Sequence, residues 1–449
     1  MSTLASDASS RRGHALPSLL LALTLTACGG GGGASDGSPV SAPLACIALP
    51  DEVSWLRSAQ SSDWNDVLVD GQNRIWLAGW TDGTVGQERT DPGGNSRAVV
   101  RQLAPDGRLL WDSGGTLDSP GTDVAEALAL SPQGVLYAVG RTSGALGDSG
   151  NAGQFDTFVA WSERPGGAAP WRIAQTGTER PQHPRRATVG ADGDLFVVGY
   201  DDEYIIGNYV AAWADPFALR WKHGGTGGAT ERLALQWQHQ FASAASDWAD
   251  GLAVVQGPTG PAIYLSGTRG GGAQRGMFVR KLDASGQPLW TVDYGSWLDN
   301  ISVLRPQPDG TLLMAGSVYG SFRGGMAQGG QDVFVARIAG DDGRVLESWQ
   351  FGSAGADWLT DMQIDTAGQL VLLGETTGSI VAGQAPAGQT DLFMLKLSPQ
   401  GRVLGARQWG TADDESAHRL ALDSCGRAVA VGSSTGAGRR SGVLWFWQS

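Results

Sequence analysis

The stretch Gly355-Ala-Asp-Trp-Leu-Thr-Asp-Met-Gln-Ile-Asp-Thr-Ala-Gly-Gln-Leu-Val-Leu-Leu-Gly-Glu-Thr-Thr-Gly378 decides the fold, because the chain repeats its pattern from Asp413 to Gly436. That second copy reads Asp-Asp-Glu-Ser-Ala-His-Arg-Leu-Ala-Leu-Asp-Ser-Cys-Gly-Arg-Ala-Val-Ala-Val-Gly-Ser-Ser-Thr-Gly. In both, an acidic turn leads into an alternating run, then a short Gly turn, then an apolar run that closes on Gly. Downstream, Gln331-Asp-Val-Phe-Val-Ala-Arg-Ile338 matches Thr390-Asp-Leu-Phe-Met-Leu-Lys-Leu397. Self-similarity of this kind marks a repeat architecture. The closing glycine recurs at Gly79, Gly140, Gly199, Gly267, Gly316, Gly374 and Gly432. The 353 residues from the first to the last of these hold six intervals of about 59 residues.

Each unit reads as four short strands. The first follows an Asp, as in Asp123-Val-Ala-Glu-Ala-Leu-Ala-Leu130. Pairs such as Gln133-Gly134, Asp192-Gly193 and Asp309-Gly310 then predict a two-residue primed hairpin turn. The second strand, Val135–Val139 or Leu195–Val198, is nearly all apolar and so is expected to be buried on both faces. The third is Asp156–Ala160 or Met277–Leu282, and the fourth follows Asp106-Gly107, Ser285-Gly286, Asp342-Gly343 or Gln400-Gly401. Trp111, Trp171, Trp221, Trp290, Trp349 and Trp409 mark the fourth strands. After the turn glycine the last three keep one parity, so their rings share a face. They predict packing between neighbouring sheets, with an aromatic sugar-binding surface as the alternative. Seven such units predict an all-β, seven-bladed β-propeller of four-stranded antiparallel blades.

The last unit has only three strands, ending in Gly442-Val-Leu-Trp-Phe-Trp447. The missing one stands at the other end of the chain. Val53–Gln60 precedes Asp63-Trp64 as a fourth strand precedes each later unit, so the N-terminal strand is expected to complete the last blade. Such closure removes the loose sheet edges that invite aggregation.

The 449 residues include 68 Gly and 18 Trp, suiting a turn-rich fold with ample aromatic core. The net charge is −13, and no Lys/Arg cluster follows residue 12, which argues against nucleic acid as a partner. Arg11 and Arg12 precede a short apolar run, Ala15–Ala27, too short to span a bilayer and typical of an export signal. The expected organisation is therefore a signal peptide over 1–27, a flexible Gly/Ser/Pro tether over 28–44 and the propeller over 45–449.

Two family resemblances add to this reading. Leu25-Thr26-Ala27-Cys28 resembles the lipobox of bacterial lipoproteins. The resemblance implies cleavage before Cys28, acylation of that residue and anchorage to a membrane through the acyl chains. Gly at position 29 implies sorting to the outer membrane of a Gram-negative cell. The repeat itself resembles the bacterial SBBP family, the seven-bladed β-propeller repeat, on Asp357, Asp391-Leu-Phe393 and Gly401 among others. That resemblance covers about residues 50–449 and implies a fold and an extracytoplasmic setting, without an agreed reaction. The third unit departs from the pattern: it lacks the Asp before its first strand, and its third strand reads Tyr209-Val-Ala-Ala-Trp213. With Cys28 lipidated, Cys46 and Cys425 remain. Both are expected in the closing blade, where an oxidising compartment favours a Cys46–Cys425 disulfide over two buried thiols.

No pattern of residues spells out a reaction. His183, His223, His239 and His418 have no zinc-ligand spacing. His183 and His418 fall at matching places before the first strands of their units, which points to a turn role in preference to catalysis. No Gly-x-Ser-x-Gly elbow occurs. Asp63, Asp123, Asp247, Asp299 and Asp357 precede first strands, and Asp156, Asp332 and Asp391 precede third strands. The residue type at a strand start predicts structural caps that accept backbone N–H bonds, in preference to metal ligands. Asp413-Asp414-Glu415 and Asp201-Asp202-Glu203 are expected in solvated loops. A break in the period near residues 228–245, holding Leu233–Phe241, is either a lid over the rim or an edge strand.

The chain is thus expected to be a monomeric, lipid-anchored binding or scaffold module for an envelope protein or glycan, without a cofactor. The alternative is an enzyme, such as a hydrolase, lyase or quinoprotein, with its site at the central channel.

Overall fold

The computed structural model describes residues 55–57, 62–82, 96–146, 150–167, 171–202, 214–224, 233–241, 246–270, 276–295, 300–436 and 439–447. Cys28, Cys46, Asp299 and the Tyr209–Trp213 stretch lie outside these. Every regular element among the described residues is a strand, and the 28 strands form seven four-stranded sheets. All pairings are antiparallel, and the molecule is a seven-bladed β-propeller.

Blade 1 consists of β2 (Ser62–Val69), β3 (Ile75–Thr81), β4 (Arg97–Leu103) and β5 (Leu109–Asp112). Blade 2 consists of β6 (Asp123–Leu130), β7 (Leu136–Thr142), β8 (Asp156–Ser162) and β9 (Arg172–Thr176). Blade 3 has β10 (Gln182–Val189), β11 (Leu195–Asp201), β12 (Asp215–His223) and β13 (Leu233–Gln240). Blade 4 has β14 (Asp247–Gly257), β15 (Gly260–Arg269), β16 (Gly276–Leu282) and β17 (Pro288–Asp293). Blade 5 has β18 (Asn300–Pro306), β19 (Thr311–Tyr319), β20 (Gln331–Ala339) and β21 (Val345–Phe351). Blade 6 has β22 (Asp357–Ile364), β23 (Leu370–Thr376), β24 (Asp391–Leu397) and β25 (Val403–Trp409). Blade 7 joins β26 (Asp414–Leu422), β27 (Ala428–Gly436) and β28 (Arg439–Trp447) to the N-terminal β1 (Trp55–Arg57), which pairs with β28 as expected from the sequence.

The apolar second strands are buried over nearly their whole length, because both of their faces meet a neighbouring blade. Most of the described buried apolar residues fall into seven clusters, and each cluster draws on two adjacent blades. Phe334, Met314 and Ile338 of blade 5 pack with Tyr264, Met277 and Val279 of blade 4. Val429, Val431 and Phe446 of blade 7 pack with Ile75, Leu77 and Val99 of blade 1, which closes the ring. The marker tryptophans sit in these clusters: Trp111 and Trp171 between blades 1 and 2, Trp290 between 4 and 5, Trp349 between 5 and 6, and Trp409 between 6 and 7.

Blade 3 corrects the sequence reading. Trp221 lies on the third strand, β12, and its third strand begins at Asp215, after the Tyr209–Trp213 stretch. The break near 228–245 contains β13, the blade's own fourth strand, so of the two readings the edge strand holds. Trp221 resembled a fourth-strand marker because it lies near the end of a long β12 and packs between blades 2 and 3.

The hairpin turns also differ from expectation. Gly134, Gly193 and Gly310 have φ of 85°, 87° and 82°, whereas the residues before them keep negative φ. A primed turn needs positive φ at both central positions of a type I′ pair. These are tight four-residue turns closed by Gly134 N–H on Ser131 O at 2.9 Å, with Pro132 at the second position and the left-handed glycine last. In blade 1, Asn73 (φ 59°) takes the glycine's place.

The recurring glycine has a steric cause. Each of the seven first strands carries a β-bulge, a register shift by one extra residue. Just before every bulge the partner on the second strand is the recurring glycine: Gly79 faces Trp64, Gly316 faces Ile301, and Gly432 faces Ala417. A Cβ on Gly79 would overlap the Asp63 carbonyl oxygen, one on Gly316 that of Asn300, and one on Gly432 that of Ser416.

A candidate ligand-binding basin at one end of the channel

The seven bulges define the site. In each, one extra residue stands outside the register: Asn65, Glu126, Arg185, Asp250, Ser302, Thr360 and His418, one from each blade in ring order. All seven line a single basin of about 330 Å³ at the end where the first strands begin. A bulge leaves one residue unpaired and re-aims its side chain while the ladder resumes on either side, which explains why a ring of regular sheets offers so varied a rim.

Below this rim the channel is crossed by charges. Arg186 donates from Nε to Asp250 O (3.0 Å) and from an Nη to Ser302 O (3.2 Å), and lies 3.6 Å from Asp361. Arg305 donates to Asp361 Oδ1 at 3.0 Å. Arg419 of blade 7 reaches over the axis to Arg185 O of blade 3 at 3.0 Å, and donates to His418 O at 2.8 Å. Asp361 also accepts the Leu420 N–H at 3.0 Å, and Asp66 accepts the Leu128 N–H at 2.7 Å, so each carboxylate ties its blade to the next. A second basin of about 300 Å³, lined by Asp66, Arg305, Asp361 and Gln363 among others, lies beyond this layer. Arg186 borders both basins.

Burial and charge work against each other here. Burial raises the Asp66 carboxyl, against the pull of Arg419. Burial also disfavours the charge on Asp361, yet Arg186, Arg305 and Arg419 together hold it below the usual carboxylate range. Arg419 is pushed down to about 9 by burial and by the Arg186 cation, and it stays charged at neutral pH. Three guanidiniums therefore face two carboxylates around the axis.

The rim groups are also tied. Glu126 pairs with Arg141 (3.1 Å), and Asp250 with Arg185 (3.3 Å). His418 Nδ1 lies 2.9 Å from Trp64 O. His183 does not occupy the corresponding place: it precedes its bulge by two residues, whereas His418 is the bulge residue, so the similar placement read from the sequence is corrected. Both lie within first strands and not in the turns before them, which corrects the turn role as well. His183 stacks on Tyr200 at 5.0 Å and contacts Arg141 (2.8 Å) and Asp202 (3.0 Å). His223 contacts the Tyr137 hydroxyl at 3.0 Å, and His239 the Ser285 carbonyl at 3.0 Å.

The aspartates noted at strand starts are not at this site. Asp63, Asp123, Asp247 and Asp357 lie at the start of first strands, and Asp156, Asp332 and Asp391 at the start of third strands, all buried. Asp123 accepts the Ser119 N–H and Asp357 the Ser353 N–H, both at 2.6 Å. Asp247 pairs with Arg269 (3.3 Å) and Asp63 with Arg440 (2.6 Å). In three blades a glutamine of the fourth strand completes the third-strand aspartate: Gln175 on Asp156 (2.8 Å), Gln350 on Asp332 (2.7 Å) and Gln408 on Asp391 (3.1 Å).

Two acidic runs read as solvated loops are partly interior. Glu415 is 1 % exposed and accepts the Thr411 N–H at 3.0 Å, the same four-residue span that Asp123 and Asp357 close in their blades. Asp201 is buried beside Arg180 and Asp215, and burial raises its carboxyl to about 6. In each case the run ends or begins a strand, which draws one carboxylate into the blade.

Sequence reasoning missed the bulge ring and the axial arginines. A signal existed: each bulge residue stands 14 positions before the recurring glycine, as Asn65 before Gly79 and His418 before Gly432, except in blade 4, whose longer hairpin separates Asp250 from Gly267 by 17.

No protein-family model matches the chain, and no curated protein matches it. Among solved structures, a protein of unknown function from Dyadobacter fermentans aligns with TM-score 0.43 and 12 % identity over 76 % of this chain and 96 % of its own. A puromycin hydrolase mutant complexed with PGG aligns at 0.46 and 12 % identity over 84 % of this chain and 50 % of its own. Trypanosoma rangeli sialidase in complex with sialic acid aligns at 0.40 and 11 % identity over 71 % of this chain and 53 % of its own. The chain thus spans about half the length of that sialidase. Matches at this level assign it no activity.

Proposed function

We propose that the chain is a lipid-anchored, extracytoplasmic propeller of the SBBP kind that acts as a binding or scaffold module for an envelope protein or glycan. The observation that carries this reading is the basin: seven different side chains converge on one rigid rim, above an axis filled by cross-blade ion pairs. Rim groups in fixed hydrogen bonds suit recognition by shape and polarity. The Leu25-Thr-Ala-Cys28 run supports the anchor, and the −13 charge argues for a non-nucleic partner. Glycan arrays and envelope cross-linking, run with wild type and with Thr360→Trp, test it. Binding lost when the indole fills the basin supports the reading; measurable turnover without any bound partner overturns it.

A second reading, an enzyme at the channel, is favoured by one observation: Glu126, Asp250 and His418 line the same basin. Each is held by a partner in the ring, which leaves the binding reading the stronger.

A further inference from the structure

The charges around the basin do not cancel. Its lining includes Arg185, Arg186 and Arg419 against Glu126 and Asp250, a surplus of one cation in a chain whose net charge is −13. Glu126 is already matched by Arg141 and Asp250 by Arg185. Arg186 has Asp361 at 3.6 Å. Arg419 has no described carboxylate within ion-pair distance: its two Nη groups donate to carbonyl oxygens, and its Nε is buried with no acceptor. A buried cation with an unmet donor is costly unless something supplies an acceptor. Asn65 and Thr360 add neutral polar groups on the same rim, and Trp358 adds an aromatic surface. A volume of about 330 Å³ admits one ring-sized molecule.

We propose that the basin binds a ligand through one anionic group, a carboxylate or a phosphate, received by Arg419 and Arg186 with Arg185 at the rim. This rests on the binding reading above and names the chemistry of its ligand. A guanidinium offers paired donors matched to either oxyanion, and a charge-assisted contact is among the strongest a small site can make.

The test is calorimetric titration of the folded full-length protein with galacturonate, glucose 6-phosphate and neutral galactose. The expected result is saturable binding, one per chain, of one or both anions and none of galactose; which anion binds tells carboxylate from phosphate. Arg185→Gln, at a half-buried rim position, is expected to weaken binding about tenfold, and Arg419→Gln to abolish it. Added salt weakens the binding further. No binding of either anion, binding of galactose as tight as that of galacturonate, or affinity unchanged in a folded Arg185→Gln overturns the proposal. A neutral glycan bound by wild type and lost in Thr360→Trp would overturn the anion alone and leave the wider reading standing.

Discussion

Trp55 of the first strand stands opposite Trp445 of the last, so the backbone of one end of the chain completes the sheet begun by the other. Deleting the chain through Arg57 removes that strand and exposes the edge of β28. A truncation to start at Ser58 is expected to unfold several degrees lower and to self-associate, because an unpaired edge is a template for pairing. Thermal unfolding and size-exclusion chromatography check both effects; an unchanged melting temperature would show that β1 adds nothing to closure.

The same relationship frames the cysteines. Ala428, next to the Cys425 turn, pairs with Trp447 at the end of the sheet that Trp55 enters. We propose a Cys46–Cys425 bridge at that end. Its loss, by reductant or by Cys425→Ser, is expected to cost about 2–5 kcal/mol. Thiol titration of the unfolded protein should find neither cysteine free, and finding both free would refute the bridge.

The glycines opposite the bulges are predicted to be intolerant for steric reasons. Gly316→Ala is expected to cost about 2–4 kcal/mol, because its Cβ would meet the Asn300 carbonyl and neither backbone can move without shifting the ladder. Gly71→Ala, with nothing within 4 Å of its Cβ, is expected to change stability by less than about 0.5 kcal/mol. Chemical denaturation of the pair separates crowding from a general aversion to replacing glycine.

The clamp between Asp332 and Gln350 gives a second contrast. Asp332→Ala leaves the Gln328 N–H and the Gln350 amide without their buried acceptor, at an expected cost of about 2–3 kcal/mol. Asp309→Ala, in an exposed turn, is expected to cost less than about 1 kcal/mol.

Acid pH should act on His183 and Asp201 with opposite signs. Burial, aided by the Arg141 and Arg185 cations, lowers His183 to about 4, so the folded protein keeps it neutral. The unfolded chain takes up that proton from about pH 6.5 downward, and stability falls by about 3 kcal/mol by pH 4. Burial raises Asp201 to about 6, so there the folded state binds the proton first, and stability rises as pH falls from 7 toward 4. His183→Gln is therefore expected to gain stability relative to wild type on acidification, and Asp201→Asn to lose it. Denaturation at pH 7, 5.5 and 4.5 reads both.

The repeat was legible because burial on both faces forces the second strands to be apolar and the bulge forces the glycine. Those two constraints act on residues close in sequence, and they sufficed to count the blades. Blade 3 misled because β12 carries a tryptophan that serves the same interface as a fourth-strand marker elsewhere. The basin was hidden for another reason. Asn65, Glu126, Arg185 and His418 differ in charge and size, and only the common bulge makes them equivalent. Arg419 and Arg185 are 234 positions apart and meet only because the ring brings opposite blades to one axis.

Each nonpolar cluster is held jointly by two adjoining sheets. A single blade cut from the circle would leave half of two cores wet and could not stand alone. The element that was copied along the chain is therefore smaller than the element that is stable. Any change in the number of copies must re-angle every wedge at once, so the circle is gained or lost as a whole.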